Sequence, residues 1–305
     1  SGGIRTTEPA LVVFVTQKLL PHKLPDAYRI PKRVAGLPTD VVTVGRIRIH
    51  NERLKKHRPA PPGISIGHIR VTAGTFGAVV YEKSTRRPLI LSNNHVLANE
   101  TTGADGRAKV GDPIVQPGVQ DGGDRNRDTI GRLKKFVPLY FSAQEATCRT
   151  AGQLEKYLNA MIRTFRPHYY IKVFKQEQRL NLVDAALAEP LDPGDVVPDI
   201  LGIGPVQGVA EAELEMVVRK SGRTTGLTHG EILYIGSTVI VGFSDGRSAV
   251  FEDQFVTTAM SKPGDSGSLV LNEENQAVGL LFAGSNRATI CNRIQNVLRL
   301  LEVTF

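Results

Sequence analysis

The sequence predicts a fold dominated by short β-strands, with one helical insertion, a closing C-terminal helix and a small N-terminal unit. Three observations predict it. Thirty Gly and eighteen Pro among 305 residues supply the turns that a many-stranded chain needs. From about residue 66, short apolar and β-branched runs alternate with polar turn clusters. Helical spacing of apolar residues is confined to residues 143–180 and to the C-terminus.

The first sixty residues read as a unit of their own. Leu11–Val15 and Asp40–Val44 are strand candidates, and a charged run from Arg46 to Arg58 follows them. Pro59-Ala60-Pro61-Pro62-Gly63 continues neither a helix nor a central strand, so it reads as a linker. Next comes a hairpin pattern: Gly77–Tyr81 runs out, Ser84–Pro88 turns the chain and Leu89–Leu91 returns. Shorter strands are expected at Pro113–Gln116 and Phe136–Phe141. Leu154, Leu158, Met161, Ile162 and Phe165 then fall on one helical face, which predicts a mostly helical insertion packed against the strands. Strands resume at Leu182–Ala188 and again from Met216, and Ile294, Val297, Leu298 and Leu301 mark the closing helix.

Composition narrows the function classes. Hydrophobic residues make up 41% and charged residues 22%, as in ordinary globular chains. No apolar run approaches the roughly 20 residues of a membrane span, so no membrane partner is expected. Two cysteines, Cys148 and Cys291, are too few for the disulfide framework of a secreted domain and point to the cytoplasm. The opening Ser1-Gly2-Gly3 lacks the basic and apolar regions of a secretory leader and reads as a tag scar, which leaves a trimmed leader open. The net charge of +8 is read as a solvated surface.

Three segments carry chemistry. Pro263-Gly264-Asp265-Ser266-Gly267-Ser268 precedes the apolar Leu269-Val270-Leu271. A serine is a poor nucleophile unless a base removes its proton and donors stabilise the oxyanion. Glycines around it let the backbone turn sharply, so the N–H groups of Gly264 and Ser266 can face one point. In Leu91-Ser92-Asn93-Asn94-His95-Val96-Leu97-Ala98, an apolar strand ends in small polar residues and an imidazole free to reach across a cleft. The other six histidines, His22, His50, His57, His68, His168 and His229, sit in settings that suit surface or satisfied core residues. In Asn181-Leu182-Val183-Asp184-Ala185-Ala186-Leu187-Ala188, a carboxylate lies inside an apolar strand and needs a hydrogen-bond partner, for which an imidazole N–H is suited. The chain order His, Asp, Ser is that of chymotrypsin-type enzymes, and Ser266 does not sit in the Gly-x-Ser-x-Gly elbow of α/β-hydrolases.

With these segments the chain resembles the trypsin-like (chymotrypsin-fold) serine peptidases, above all the bacterial branch that includes streptogrisin and α-lytic protease. A closer likeness is to the plant narrow-leaf protein and its bacterial relatives. Gly74–Val80, Lys220–Gly230 and Val278–Gly284 carry it, together with the three segments above. The likeness runs from about Ser65 to the C-terminus and is weak before that. It implies two antiparallel six-stranded β-barrels with the site between them: residues 1–62 as N-terminal unit and linker, 63–192 as first barrel with the insertion at about 143–180, and 193–305 as second barrel. It also implies a catalytic triad of His95 as general base, Asp184 as its orienter and Ser266 as nucleophile, with Gly264 and Ser266 N–H groups as oxyanion hole, acting on a protein or peptide without a cofactor. Phe282 stands where many relatives carry a serine that supports the aspartate. The pocket floor of the family falls on Met260, and Phe282, Ala283 and Gly284 form the strand beside the substrate. A methionine floor implies a small to medium apolar residue before the cut.

The competing class is a catalytically silent protease-fold scaffold, one contacting nucleic acid through the basic segment. The complete triad and the Gly264 turn favour the enzyme. Arg46, Arg48, Arg53, Lys55, Lys56, His57 and Arg58 carry no recognition-module signature, so they read as a solvated linker and nucleic acid is not expected. Asp124-Arg125-Asn126-Arg127-Asp128 opens like a calcium loop but lacks its glycine and its final glutamate, and no metal is expected. Gly202-Ile203-Gly204-Pro205 reads as a turn between the barrels. Homo-oligomer formation is left open.

Overall fold

The computed structural model describes residues 9–15, 17–19, 24–25, 28–43, 52–145, 148–166, 168, 170–176, 179–243 and 245–305. The chain divides into two units, Ser1–Asn51 and Glu52–Phe305. In the first, β1 (Leu11–Val15) pairs in parallel with β3 (Leu37–Thr43), which pairs antiparallel with β2 (Arg33–Val34). Both strands expected there are present where described; Val44, Arg46, Arg48, His22 and His50 lie outside the described residues.

Residues 52–62 are not the solvated linker that their prolines and charges suggested. They belong to the larger unit. Arg53 donates through Nη1 to the Gly63 carbonyl (2.8 Å) and to Ser221 Oγ (2.7 Å), and Arg58 reaches Gln116 Oε1 (2.7 Å). Lys56 pairs with Asp128 at 3.0 Å, and Ala60 bridges to Val196. A guanidinium offers five donors in a planar fork, so these arginines satisfy carbonyls that burial would otherwise orphan.

The first barrel is built from β4 (Ser65–His68), β5 (Gly74–Thr75), β6 (Ala78–Glu82), β7 (Pro88–Ser92), β8 (Pro113–Val115), β9 (Thr129–Phe136) and β12 (Ala186–Pro190), with the short helix α1 (Asn94–Leu97) after β7. β5 and β6 are two halves of one bent strand. β5 pairs with β4 and β6 with β7, so the ladder β4–β8–β9–β12–β7–β6/β5 closes into a six-membered ring. Its wall is made by β-branched and aliphatic residues such as Val79, Ile90, Ile114 and Ile130, which suit a pleated surface. The strand expected at 136–141 ends at Phe136; past it, the backbone bonds to Ala185 and Thr101.

Between β9 and β12 lies the insertion. β10 (Ala143–Glu145) and β11 (Phe174–Gln176) form an antiparallel ribbon around α2 (Arg149–Phe165). The helix is therefore shorter than the expected 143–180 span. Its apolar face is only partly covered: Leu158 and Ile162 are half-buried, while Leu154, Met161 and Phe165 are exposed, and Ala151 is the one buried residue of the helix.

The second barrel comprises β13 (Gly208–Val209), β14 (Val217–Gly222), β15 (Gly226–Gly242), β16 (Ser248–Thr258), β17 (Leu269–Leu271), β18 (Gln276–Gly284) and β19 (Ala288–Arg293). Pairing of β18 with β19 closes β14–β15–β16–β19–β18–β17 into the second six-membered ring, with β13 added alongside β18. α3 (Ile294–Leu301) follows, and β20 (Val303–Thr304) returns to pair with β6 of the first barrel. Ile294, Val297 and Leu301 join one core with Val80, Leu89 and Leu187 of the first barrel and Leu269, Leu271 and Leu280 of the second. Burying each such side chain is worth about 1.5–3 kcal/mol, so this helix ties the barrels together. The Gly202–Pro205 segment is a turn, closed by Ile200 and Gly204 bonding to each other.

Candidate active site

His95 owes its position to α1. Val96 and Leu97 are buried, which anchors the one-turn helix on the first barrel and leaves His95 facing the cleft. Asp184 lies two residues before β12 rather than inside a strand, and it is fully buried. Its Oδ2 accepts from His95 Nδ1 at 2.5 Å and its Oδ1 from the His95 backbone N–H at 3.2 Å. With Nδ1 donating, Nε2 is the imidazole acceptor. Burial by itself pushes the His95 imidazole down. The Asp184 charge and hydrogen bond, with the more distant Glu100 carboxylate, outweigh that burial and hold it above the ordinary histidine value.

No hydroxyl supports Asp184 from position 282. The backbone around it is clamped instead: Asp184 N–H donates to Asn292 Oδ1 (3.0 Å), and Asn93 Nδ2 donates to the Asp184 carbonyl (2.7 Å). Asn292 Nδ2 in turn donates to Gln254 Oε1 at 2.6 Å. Phe282 packs its ring on Phe251, with centroids 4.6 Å apart, and Phe243 meets the His95 ring edge-on at 6.5 Å. Phe243 and Phe282 both line the cleft that holds His95 and Asp184.

Ser266 sits in a loop held from several directions. Gly264 and Gly267 have φ values of +99° and +94°, a region that side-chain-bearing residues rarely adopt. Thr75 pins both sides of the serine, through Oγ1 to the Gly264 carbonyl (2.9 Å) and through its N–H to the Ser266 carbonyl (2.8 Å). Asp265 points the other way and is fully buried. Its carboxylate accepts from the N–H groups of Thr224, Thr225 and Lys262 and from Thr225 Oγ1, and it pairs with the equally buried Lys220 at 3.3 Å. Among the described residues, the N–H groups of Gly264 and Ser266 have no protein acceptor. The Ser266 hydroxyl donates to the Phe282 carbonyl at 3.4 Å, a long bond.

Ser266 lies where two concavities meet. One is a cleft of about 910 Å³ lined by His95, Asp184, Gly264, Ser266 and Phe282, with Arg70, Thr72, Ile240 and Phe243 also in its lining. The second, about 870 Å³, has Met260, Leu281 and Ala283 as apolar walls and Lys262, His229 and Asn286 among its polar lining. Met260, Ala283 and Gly284 thus share one cavity, whereas Phe282 lines only the cleft. His229, read as a surface or satisfied core residue, lines the Met260 cavity. His68 is a satisfied core residue, its Nε2 3.2 Å from Asp112 Oδ2 and its Nδ1 accepting from Arg70 N–H. The Asp124–Asp128 segment is a self-bonded turn, with Asp124 Oδ1 accepting from the N–H groups of Asn126 and Arg127.

Sequence reading assigned no role to Thr75, Lys220, Asp265, Asn292 or Gln254. The available signal was the one that singled out Asp184: polar residues such as Lys220, Gln254 and Asn292 interrupting apolar strands, where each needs a partner.

No protein-family model and no curated protein matches the chain. Among solved structures it is similar to Thermobifida fusca protease A (17% identity, covering 80% of this chain and 96% of that one, TM-score 0.49). It is also similar to Cellulomonas bogoriensis chymotrypsin (17%, 80% and 97%, TM-score 0.46) and to a Nocardiopsis protease (16%, 80% and 97%, TM-score 0.48). What those proteins cleave is theirs; the double-barrel architecture of this chain stands on its own closed ladders.

Proposed function

We propose that the chain is a serine endopeptidase of the trypsin-like class, with affinity to the narrow-leaf protein and its bacterial relatives, acting on protein substrates without a cofactor. Ser266 attacks the peptide carbonyl, His95 takes its proton and returns it to the leaving amine, and Asp184 holds the imidazole in the acceptor tautomer. The oxyanion forms against the N–H groups of Gly264 and Ser266, and water releases the acyl group. The observation that carries this reading is the 2.5 Å bond from His95 Nδ1 to a fully buried Asp184, in one cleft with a serine flanked by two unused N–H groups. Met260 as floor of the neighbouring cavity supports a small to medium apolar residue before the cut. Two free thiols suit a reducing cytoplasm. An organofluorophosphonate probe tests the assignment: it is expected to label the natural chain and to leave Ser266→Ala unlabelled. A natural chain that stays unlabelled and cleaves no protein would return the fold to the scaffold class.

A further inference from the structure

The insertion helix α2 presents an apolar stripe that stays exposed among the described residues. Leu154, Tyr157, Met161 and Phe165 fall on one stripe at helical spacing, and all are exposed, Tyr157 at 69% and Phe165 at 79%. On the opposite face, Arg149, Lys156 and Arg163 recur at seven-residue intervals, and Arg166 follows at the C-cap. The only carboxylate of the helix, Glu155, is occupied by the Val173 N–H at 2.8 Å. Among the described residues these four cations have no acidic partner.

We propose that α2 lies in the interface of an anionic lipid membrane, with Leu154, Tyr157, Met161 and Phe165 inserted and the basic row held by the headgroups. An apolar stripe opposed by Lys and Arg on a helix of modest overall hydrophobicity is the pattern of interfacial helices. A helix is about 10 Å across with its side chains, close to the Debye length at physiological salt, so the basic row stays within reach of the surface charge. Long basic side chains also bend their charge towards the headgroups. A second copy of the chain is a poorer occupant, because stripe packed on stripe turns both basic rows outward and leaves them without a counter-charge. Nucleic acid would leave the apolar stripe uncovered. Among the described residues, no helix is long and apolar enough to cross a membrane; the expectation of no membrane partner rested on spanning segments and does not reach a helix that lies in the surface. This inference is independent of the peptidase reading.

The test is flotation of the full chain with two kinds of vesicle, phosphatidylcholine alone and phosphatidylcholine with about one quarter phosphatidylglycerol. Binding is expected to the anionic vesicles and to be weakened by salt. Each Lys or Arg near such a surface multiplies partitioning by about fivefold, so Lys156→Glu with Arg163→Glu should cost at least about 25-fold. Met161→Ser with Phe165→Ser should cost more than about tenfold. Both pairs are exposed, so thermal unfolding should be unchanged and any loss is a loss of binding. Absence of binding to the anionic vesicles, or binding that survives Met161→Ser with Phe165→Ser, overturns the proposal. So does a dimer in light scattering that those two substitutions dissolve, since a second copy would then occupy the stripe.

Discussion

Replacing Lys220 by Met removes a buried cation while keeping most of its stem volume. Lys220 and Asp265 are both fully buried, 3.3 Å apart. At an effective dielectric of about 20, that separation corresponds to about 5 kcal/mol of attraction. Breaking one side of a buried pair typically costs about 3–5 kcal/mol, because the remaining charge is left in a dry site. The Gly226 carbonyl also loses a donor, since Lys220 Nζ reaches it at 3.1 Å. For a unit of roughly 250 residues, each kcal/mol moves Tm by about 2–4 °C, so Lys220→Met should lower Tm by about 6–20 °C at pH 7. The loop from Lys262 to Ser266 hangs on Asp265, so fluorophosphonate labelling of Ser266 should slow as well. Lys220→Met with Asp265→Asn removes the stranded charge and should recover much of the Tm. Labelling should not recover with it, because the amide cannot accept from every donor that the carboxylate holds. Thermal unfolding by circular dichroism and probe labelling read the two effects separately. A Tm within about 2 °C of the natural chain, with unchanged labelling, would refute the view that this pair holds the loop.

Three further outcomes are expected. His95 must be neutral to accept a proton, and its value is held above the ordinary one, so activity should fall on acidification with a midpoint above about 6.5; Glu100→Gln should move that midpoint to lower pH, and a pH–rate profile flat between about 5 and 8 would remove His95 from the role of base. A Cβ at position 264 would press on Arg223 Nη1 and Thr224 Oγ1 at a positive φ, so Gly264→Ala should cut turnover by about 10²–10³-fold with the fold retained, as judged by far-UV circular dichroism. Peptides with Leu, Val, Met or Ala before the cut should outrun those with Lys, Arg, Asp or Glu, and Met260→Asp should shift cleavage-site profiles towards basic residues; a natural profile already dominated by basic residues would show that Met260 is not the floor.

The sequence by itself determined the local parts of this protein. Apolar runs made strands such as β6, β7 and β8 readable, though not β9, and the spacing of Ile294, Val297 and Leu301 made α3 readable, because side-chain periodicity follows from backbone geometry alone. Gly264 announced a turn that needs positive φ, and a carboxylate among apolar residues announced that Asp184 needs a partner. Tertiary structure decided which groups meet. His95 and Asp184 are 89 residues apart and Asp184 and Asn292 are 108 apart, and no periodicity encodes pairings across such distances. It also decided that Phe243 meets the His95 ring and Phe282 packs on Phe251, and that Arg53 and Arg58 satisfy buried carbonyls instead of water. The same holds for α2. Its amphipathic pattern predicted a face to be covered, but a pattern records only that a face is apolar, and whether the molecule covers it depends on where the ribbon β10–β11 carries the helix.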